Sequence, residues 1–152
     1  MTDVAESESS NRALVSRMQE AIGAGDYEKL RALVHADVVQ EMPQSGERVV
    51  GVDNLIATLA NRPGRPAPDS APAQLIGEEP RYVMTPTFNL VRVEGTGDTF
   101  TVYNRTRYPD GSDWYVISVV TLRDGKIAKQ VAFFAPCFAA PEWRAQWVES
   151  TD

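Results

Sequence analysis

Apolar residues near the start of the chain recur at helical spacing. One face of a predicted first helix, which Ser9 or Ser10 can cap, carries Leu14, Val15, Met18 and Ile22. Gly23 and Gly25 end that helix, because glycine tolerates the backbone conformation of a helix C-terminus. Asp26 then offers an N-cap for a second helix, whose inner face carries Tyr27, Leu30, Leu33 and Val34.

Strand patterns dominate the remainder of the chain after one more helix. A short strand at residues 38–42 stops at Pro43, and Asp53 is placed to cap a third helix. Apolar and β-branched runs, separated by turn residues, predict strands at residues 75–84, 88–93, 100–108, 114–122 and 127–134. Tight turns between the last three predict an antiparallel meander. Helices followed by antiparallel strands indicate an α+β fold with the helices on one side of a curved sheet.

The length of the chain indicates one domain. The 152 residues support a single core of moderate size. Acidic and polar residues predict a disordered N-terminus at 1–8, and residues 9–150 then form the domain. Residues 62–73 contain four prolines, which predicts a surface loop. The chain ends in a predicted short helix on which Trp143 and Trp147 share one face.

Composition and charge exclude several classes of function. Fifteen basic residues against 21 acidic ones give a net charge of −6, which argues against a nucleic-acid partner. No apolar run approaches the roughly 18 residues that a membrane span needs, and the acidic start does not resemble a secretory signal. The single cysteine, Cys137, and the single histidine, His35, cannot build a disulfide or a zinc cluster. We therefore expect a cytoplasmic protein with no cofactor and no membrane partner.

Four segments, in their order and spacing, resemble the SnoaL-like branch of the NTF2-like superfamily. They are GDYEKL at 25–30, HADVV at 35–39, PQSGER at 43–48 followed by Gly51, and LRDGKI at 122–127. The resemblance covers about residues 10–148. It implies a cone-shaped α+β barrel, in which N-terminal helices pack on a curved antiparallel or mixed sheet and enclose a pocket. It also implies homodimers that pack through the outer face of the sheet.

The superfamily includes ketosteroid isomerases, polyketide cyclases, epoxide hydrolases and binding domains, so residues must choose among them. Aligned with the isomerases, this chain has Met42 at the position of the catalytic base and Met18 at that of the oxyanion tyrosine. The strand expected to supply the second oxyanion donor, residues 114–123, contains no Asp or Glu. The last strand likewise lacks the acids of the cyclases and hydrolases, although Arg105 or Arg107 could serve as a central arginine.

One carboxylate remains as a catalytic candidate. Glu41 stands next to the base position, but strand alternation sends it to the face opposite Gln40 and Met42. We expect it at the surface or an interface, although one β-bulge would reverse its direction. His35 is expected in a structural role at the end of the second helix, and Cys137 as a buried structural thiol.

A second set of residues is suited to binding a ligand. It combines apolar or aromatic side chains with amides in apolar strands, and comprises Met18, Tyr27, Gln40, Met42, Asn104, Trp114, Gln130 and Phe133. The apolar members could equally be plain core, and the amides could equally be satisfied by neighbouring groups. No metal-ligand spacing is present, since Asp98, Asp110 and Asp124 are turn residues beside glycine.

Three hypotheses follow for the function. The first is a homodimer that binds a small apolar molecule in an apolar pocket. The second is a divergent cyclase, isomerase or hydratase acting on a polyketide- or steroid-like substrate. The third is a structural or interaction domain, which exposed Trp143 and Trp147 would favour.

Overall fold

The computed structural model describes residues 2–61, 83–84, 90–107 and 110–151. Its helices are α1 (Thr2–Ala24), α2 (Tyr27–Leu33), α3 (Val52–Ala60) and a 3-10 helix at Glu142–Trp147. Its strands are β1 (Val34–Met42), β2 (Glu47–Val50), β3 (Val83–Met84), β4 (Leu90–Thr96), β5 (Thr99–Arg107), β6 (Asp113–Arg123) and β7 (Lys126–Pro136). Within these residues, none of the helices combines the length and apolar character needed to cross a membrane.

The strands form one open, mixed sheet in the order β2-β1-β7-β6-β5-β4-β3. Strands β5 to β7 make the predicted antiparallel meander, and β4 extends it by pairing antiparallel with β5. Among the described strands, the one parallel pairing joins β1 to β7 and sets Gln40 opposite Gln130. The helices precede the meander and pack on the sheet, so the predicted α+β architecture is confirmed.

Local signals account for the ends of the first two helices. Gly25 has a positive φ of 68°, a conformation that glycine adopts without a side-chain clash, and α1 ends just before it. The Asp26 side chain accepts a hydrogen bond of 3.0 Å from the backbone N–H of Lys29, as expected of an N-cap. The predicted cap of α3 is wrong, because Gly51 holds the N-cap position and Asp53 lies in the first turn. Asp53 there pairs with Arg31 at 2.7 Å.

The hydrophobic core lies between the helices and the inner face of the sheet. Helix α1 contributes Val15, Met18 and Ala21, α2 contributes Leu30, and α3 contributes Val52 and Leu55. The strands complete the buried set with Val34, Val38, Phe100, Val102, Val120, Leu122, Ile127 and Ala132. This arrangement confirms the predicted inner stripe of α1 and places one end of the core against β5 and β6.

Four further sequence predictions differ from the structure or lie outside the described residues. Helix α1 begins at Thr2, so residues 2–8 are helical instead of disordered, and Glu8 accepts a 3.0 Å hydrogen bond from the N–H of Gly97. Strand β1 starts at Val34 and includes His35, because α2 ends one residue earlier than predicted. The loop predicted at residues 62–73, and all but Val83–Met84 of the strand predicted at 75–84, lie outside the described residues.

Candidate functional site

A cavity of about 120 Å³ lies between α1, α3 and the inner face of the sheet. Much of its wall is apolar and comprises Met18, Ile22, Val38, Leu55, Leu59, Val116, Ile127, Ala132 and Phe134. The alternation of side chains along β1, β6 and β7 turns these strand residues toward the helices. The cavity therefore borders the hydrophobic core and is a space that the core side chains do not fill.

Polar side chains interrupt this wall, and all of them are uncharged amides or hydroxyls. They are Gln19, Gln40, Asn104, Thr106, Ser118 and Gln130. Asn104 Nδ2 donates to Gln19 Oε1 at 3.3 Å, and Gln130 Nε2 lies 3.5 Å from Ser118 Oγ. Among the residues described by the structure, the lining contains no Asp, Glu, His, Cys, Lys, Arg or Tyr. The described wall can therefore offer hydrogen bonds but no side chain suited to proton transfer near neutral pH.

Four of the eight predicted ligand-binding residues line this cavity. Met18 comes from α1, Gln40 from β1, Asn104 from β5 and Gln130 from β7. Elements far apart in the chain bring them together. Whether they bind a ligand stays a prediction.

The other four predicted residues are absent from the described lining. Phe133 is 40% exposed, because alternation along β7 turns it outward and turns Phe134 inward. Tyr27 packs against the hydrophobic core. Met42 ends β1 at its turn, and the Trp114 Nε1–H donates to Ser112 Oγ at 2.9 Å near the start of β6.

Glu41 lies on the outer face of β1, away from the cavity that its neighbour Gln40 lines. Its carboxylate is 3.4 Å from the guanidinium of Arg48 and 3.3 Å from the ammonium of Lys129. Strand alternation therefore holds at this position, as the sequence pattern indicated. The catalytic candidate is paired with two cations and is not directed at the cavity.

Several residues that line the cavity were not among the eight ligand-binding residues predicted from the sequence. Ser118 is buried in the apolar run VISVV at residues 116–120 of β6, and this polar residue in an apolar run was the available signal. Gln19 follows Met18 on α1 and was indistinguishable from a solvated helix residue. Phe134 was missed because its orientation depends on the strand's face, which the sequence leaves open.

The two arginines considered for a hydrolase-like site point away from the cavity. Arg107 donates two hydrogen bonds to the Asp113 carboxylate, at 2.8 and 3.0 Å, and Arg105 lies 3.5 Å from the same group. The hydrogen bonds and charge of Arg107 lower the pKa of Asp113 below its ordinary value. This cluster belongs to the outer face of β5 and β6, so it is an ion-pair network on the surface.

The remaining reactive side chains also lie apart from the cavity. His35 Nε2 is 2.5 Å from the backbone carbonyl oxygen of Arg123, which gives it a structural contact in β1. Cys137 is exposed, so the prediction of a buried thiol is wrong; it follows the end of β7, beyond the core. In the described part of the chain, no group of three or more His, Cys, Asp or Glu side chains is arranged to hold a metal ion.

The SnoaL-like domain family matches residues 15–130, which is most of the chain and includes α3 and the part of α1 that lines the cavity. The protein belongs to the SnoaL-like family. No curated protein matches its sequence. The family's NTF2-like fold recurs in solved structures, including an NTF2-like protein of unknown function from Burkholderia xenovorans LB400. That structure is 28% identical, with a TM-score of 0.72, and the match covers 95% of this chain and 97% of the other.

Two further solved structures with a similar fold carry names of enzymes. A protein named "putative ketosteroid isomerase" from Kribbella flavida DSM 17836 is 19% identical, with a TM-score of 0.73 over 95% of this chain and 92% of the other. An LEH-like epoxide hydrolase from M. tuberculosis is 16% identical, with a TM-score of 0.59 over 84% of each chain. At these identities the likeness extends to the fold, and function must be argued from the cavity.

Proposed function

We propose that this SnoaL-like protein binds a small hydrophobic molecule in the cavity and lacks the usual isomerase and epoxide-hydrolase catalytic residues. The observation that carries the proposal is the lining, which joins an apolar wall to uncharged amides and hydroxyls. Apolar walls with a few placed polar groups are typical of small-molecule sites. Met18 and Met42 replace the polar side chains that isomerase chemistry would require at those positions.

The size of the cavity supports a compact ligand. An apolar protein cavity of about 150 Å³ holds benzene. The described residues enclose about 120 Å³, so a single ring is a reasonable first probe. Toluene is suited to this purpose because it carries no group that would bind elsewhere through charge.

A variant that fills the cavity with a larger side chain tests this proposal. Leu59 lines the cavity on α3 and is only partly buried, so Leu59→Trp has room to adjust while its indole occupies the space. Ala57→Trp on the exposed side of the same helix is the matched control. We expect wild type and Ala57→Trp to bind toluene saturably in a ligand-observed NMR titration, and Leu59→Trp to lose at least tenfold in affinity. Equal binding by both variants would contradict the proposal.

The divergent enzyme is the alternative function. Gln40, Asn104 and Gln130 favour it to the extent that they could orient a polyketide- or steroid-like substrate. The paired, outward position of Glu41 opposes it, since the described lining of the cavity contains no carboxylate that could act as a base. If any turnover is found, Glu41→Gln is expected to leave it unchanged; a loss of turnover would restore the catalytic hypothesis.

We also propose that the protein forms a homodimer through the outer face of the sheet. Tyr115 and Phe133 support this proposal because they are 45% and 40% exposed on the face opposite the cavity. The interaction-domain hypothesis rests instead on Trp143 and Trp147, each 72% exposed. The predicted cytoplasmic location stays a prediction.

A further inference from the structure

Five polar side chains of the cavity come from four adjacent strands on the inner face of the sheet and from α1. This amide row consists of Gln40, Gln130, Ser118, Asn104 and Gln19. Gln40 and Gln130 are opposite one another in the parallel pairing of β1 with β7, and Gln130 approaches Ser118 on β6. The row therefore crosses β1, β7, β6 and β5 and ends on α1.

Register explains how the row continues from β6 to β5. Ser118 is paired with Val102, and Asn104 is paired with Val116, so Ser118 and Asn104 are diagonal neighbours. Side chains on such a diagonal lie on the same face of the sheet, about 7–8 Å apart. Asn104 then donates to Gln19, which closes the row against α1.

The side chains of the amide row differ in how many of their hydrogen-bonding groups are left free to bind a ligand. Asn104 and Gln19 are paired to each other, and Gln130 faces Ser118. Within the described part of the chain, the side-chain amide of Gln40 makes no hydrogen bond. A glutamine amide carries an acceptor oxygen and two N–H donors, so Gln40 presents both kinds of group to the cavity.

The lining also lacks any described charge that could balance a charged ligand. Burying an unpaired carboxylate or ammonium group is much more costly than burying a hydrogen-bonded neutral one. The apolar wall makes the surroundings of the row poorly polarisable, which increases that difference. An ionised ligand is therefore at a disadvantage, and a neutral one with a donor beside an acceptor is favoured.

We propose that the cavity selects uncharged ligands that carry an amide, or an equivalent adjacent donor and acceptor, and that Gln40 binds this group. The proposal rests on the proposed function and names the chemical class of its ligand. It goes beyond apolar binding because it predicts discrimination between molecules of nearly equal size. The aromatic or aliphatic part of the ligand lies against the apolar wall.

The first experiment compares four probes of similar size at pH 7: benzamide, benzoate, benzylamine and toluene. We expect benzamide to bind best in NMR titrations of the full chain, and benzoate and benzylamine to bind at least about tenfold more weakly. Toluene is expected to bind, but about fivefold more weakly than benzamide, since it makes no hydrogen bond. Benzoate or benzylamine binding as tightly as benzamide would overturn the proposal.

The second experiment tests the role of Gln40 with a nearly isosteric change. Gln40→Met keeps the length of the side chain and removes the amide, whereas Glu41→Gln changes the next residue outside the cavity. We expect Gln40→Met to lower the preference for benzamide over toluene about fivefold, and Glu41→Gln to leave that preference as it is in the wild type. An equal loss for both probes in Gln40→Met would overturn the assigned role.

The two experiments distinguish a failure of the proposed ligand class from a failure of the proposed binding function. Binding of toluene without preference for benzamide would overturn the ligand class and leave the apolar binding function in place. Failure of all four probes to bind would overturn both. The probe series uses the wild-type chain, so the ligand class is testable even if Gln40→Met impairs folding.

Discussion

At the residue scale, the neighbouring residues Gln40 and Glu41 of β1 lie on opposite faces of the sheet and have different roles. Gln40 faces the cavity, and Glu41 forms ion pairs with Arg48 and Lys129 on the other side of the sheet. The difference arises from the two-residue repeat of a strand, because the pairing on both sides of β1 keeps this stretch regular. A carboxylate base at this position would have required a bulge that the structure does not contain between residues 39 and 42.

Gly95 is the residue at which we expect the largest effect of a single methyl group. Its φ is 141°, and an added Cβ would come within 2.3 Å of the Thr99 carbonyl oxygen and 2.7 Å of the Phe100 Cα. Because both atoms belong to the backbone, Gly95→Ala should lower the free energy of unfolding by at least about 2 kcal/mol in urea denaturation.

Gly97 provides the matched control in the same hairpin. It also has a positive φ, of 63°, but an added Cβ would meet nothing within 4 Å. Gly97→Ala should therefore cost only the backbone strain of about 1 kcal/mol. Equal costs for the two substitutions would show that the close approach at Gly95 is unimportant.

Asp113 predicts a pH dependence of stability. Arg107 holds the pKa of Asp113 below its ordinary value, mainly through their hydrogen bonds. The resulting stabilisation is present above the unfolded pKa of about 3.9 and is lost as the pH falls through the lower folded pKa. The difference in Tm between wild type and Asp113→Asn should therefore shrink from pH 6 to pH 3.

Arg107→Gln removes the cause of this effect and is the reciprocal test. In a protein that already carries Arg107→Gln, the effect of Asp113→Asn on Tm should be nearly the same at pH 6 and pH 3. The reason is that the carboxylate of Asp113 has then lost its main partner. A Tm difference between wild type and Asp113→Asn that is constant over the whole pH range would contradict the assignment. The effect is expected to be small, since exposed ion pairs contribute little to stability.

At the element scale, α1 is tied to the hairpin between β4 and β5. Asn11 is only 8% exposed, and its Nδ2 donates to the Gly97 carbonyl and to Asp98 Oδ1, both at 3.0 Å. Glu8 accepts from the Gly97 N–H one helical turn earlier. These contacts supply a physical reason why the helix extends through residues that composition alone indicated to be disordered.

Asn11→Ala is expected to destabilise this junction. It leaves acceptors of the turn without their buried donor, which should lower the free energy of unfolding by about 1–3 kcal/mol. Ser10→Ala, on the exposed side of the same helix, should change it by less than about 0.5 kcal/mol. Equal values for both variants in urea titrations would show that the contacts to the hairpin do not anchor α1.

At the scale of the whole molecule, the described helices cover only the inner face of the sheet, and the outer face carries exposed aromatic side chains beside its ion pairs. Tyr115 and Phe133 lie on the outer face, while Phe138 is 80% exposed beyond the end of β7. A stable interface buries about 800 Å² on each partner, which requires an extended surface such as a sheet face. This requirement favours the proposed homodimer through the sheet over contacts made by the C-terminal segment.

Phe133→Glu tests this choice of interface. It places a charge in the centre of the proposed contact and should convert the protein to a monomer in light-scattering measurements of mass. Phe138→Glu makes the same change outside the sheet and should leave the dimer intact. A monomeric wild type would contradict the homodimer, and loss of the dimer only in Phe138→Glu would assign the interface to the C-terminal segment.

The sequence by itself determined the class of the fold and most of its elements. The stripe on α1, the Asp26 cap and the turns of the meander are local patterns, and local chemistry decides such features. The same local patterns placed Gln40 and Glu41 on opposite faces. The family motifs further indicated a pocket between the helices and the sheet.

Tertiary structure decided which side chains meet at that pocket. Gln40 and Gln130 are far apart in the chain and become neighbours only through the parallel pairing of β1 with β7. Phe134 replaced Phe133, and Gln19 joined the wall, because strand facing and helix rotation depend on contacts with distant elements. Facing and register are properties of pairings across the whole chain, and no local sequence window contains the two partners of such a pairing.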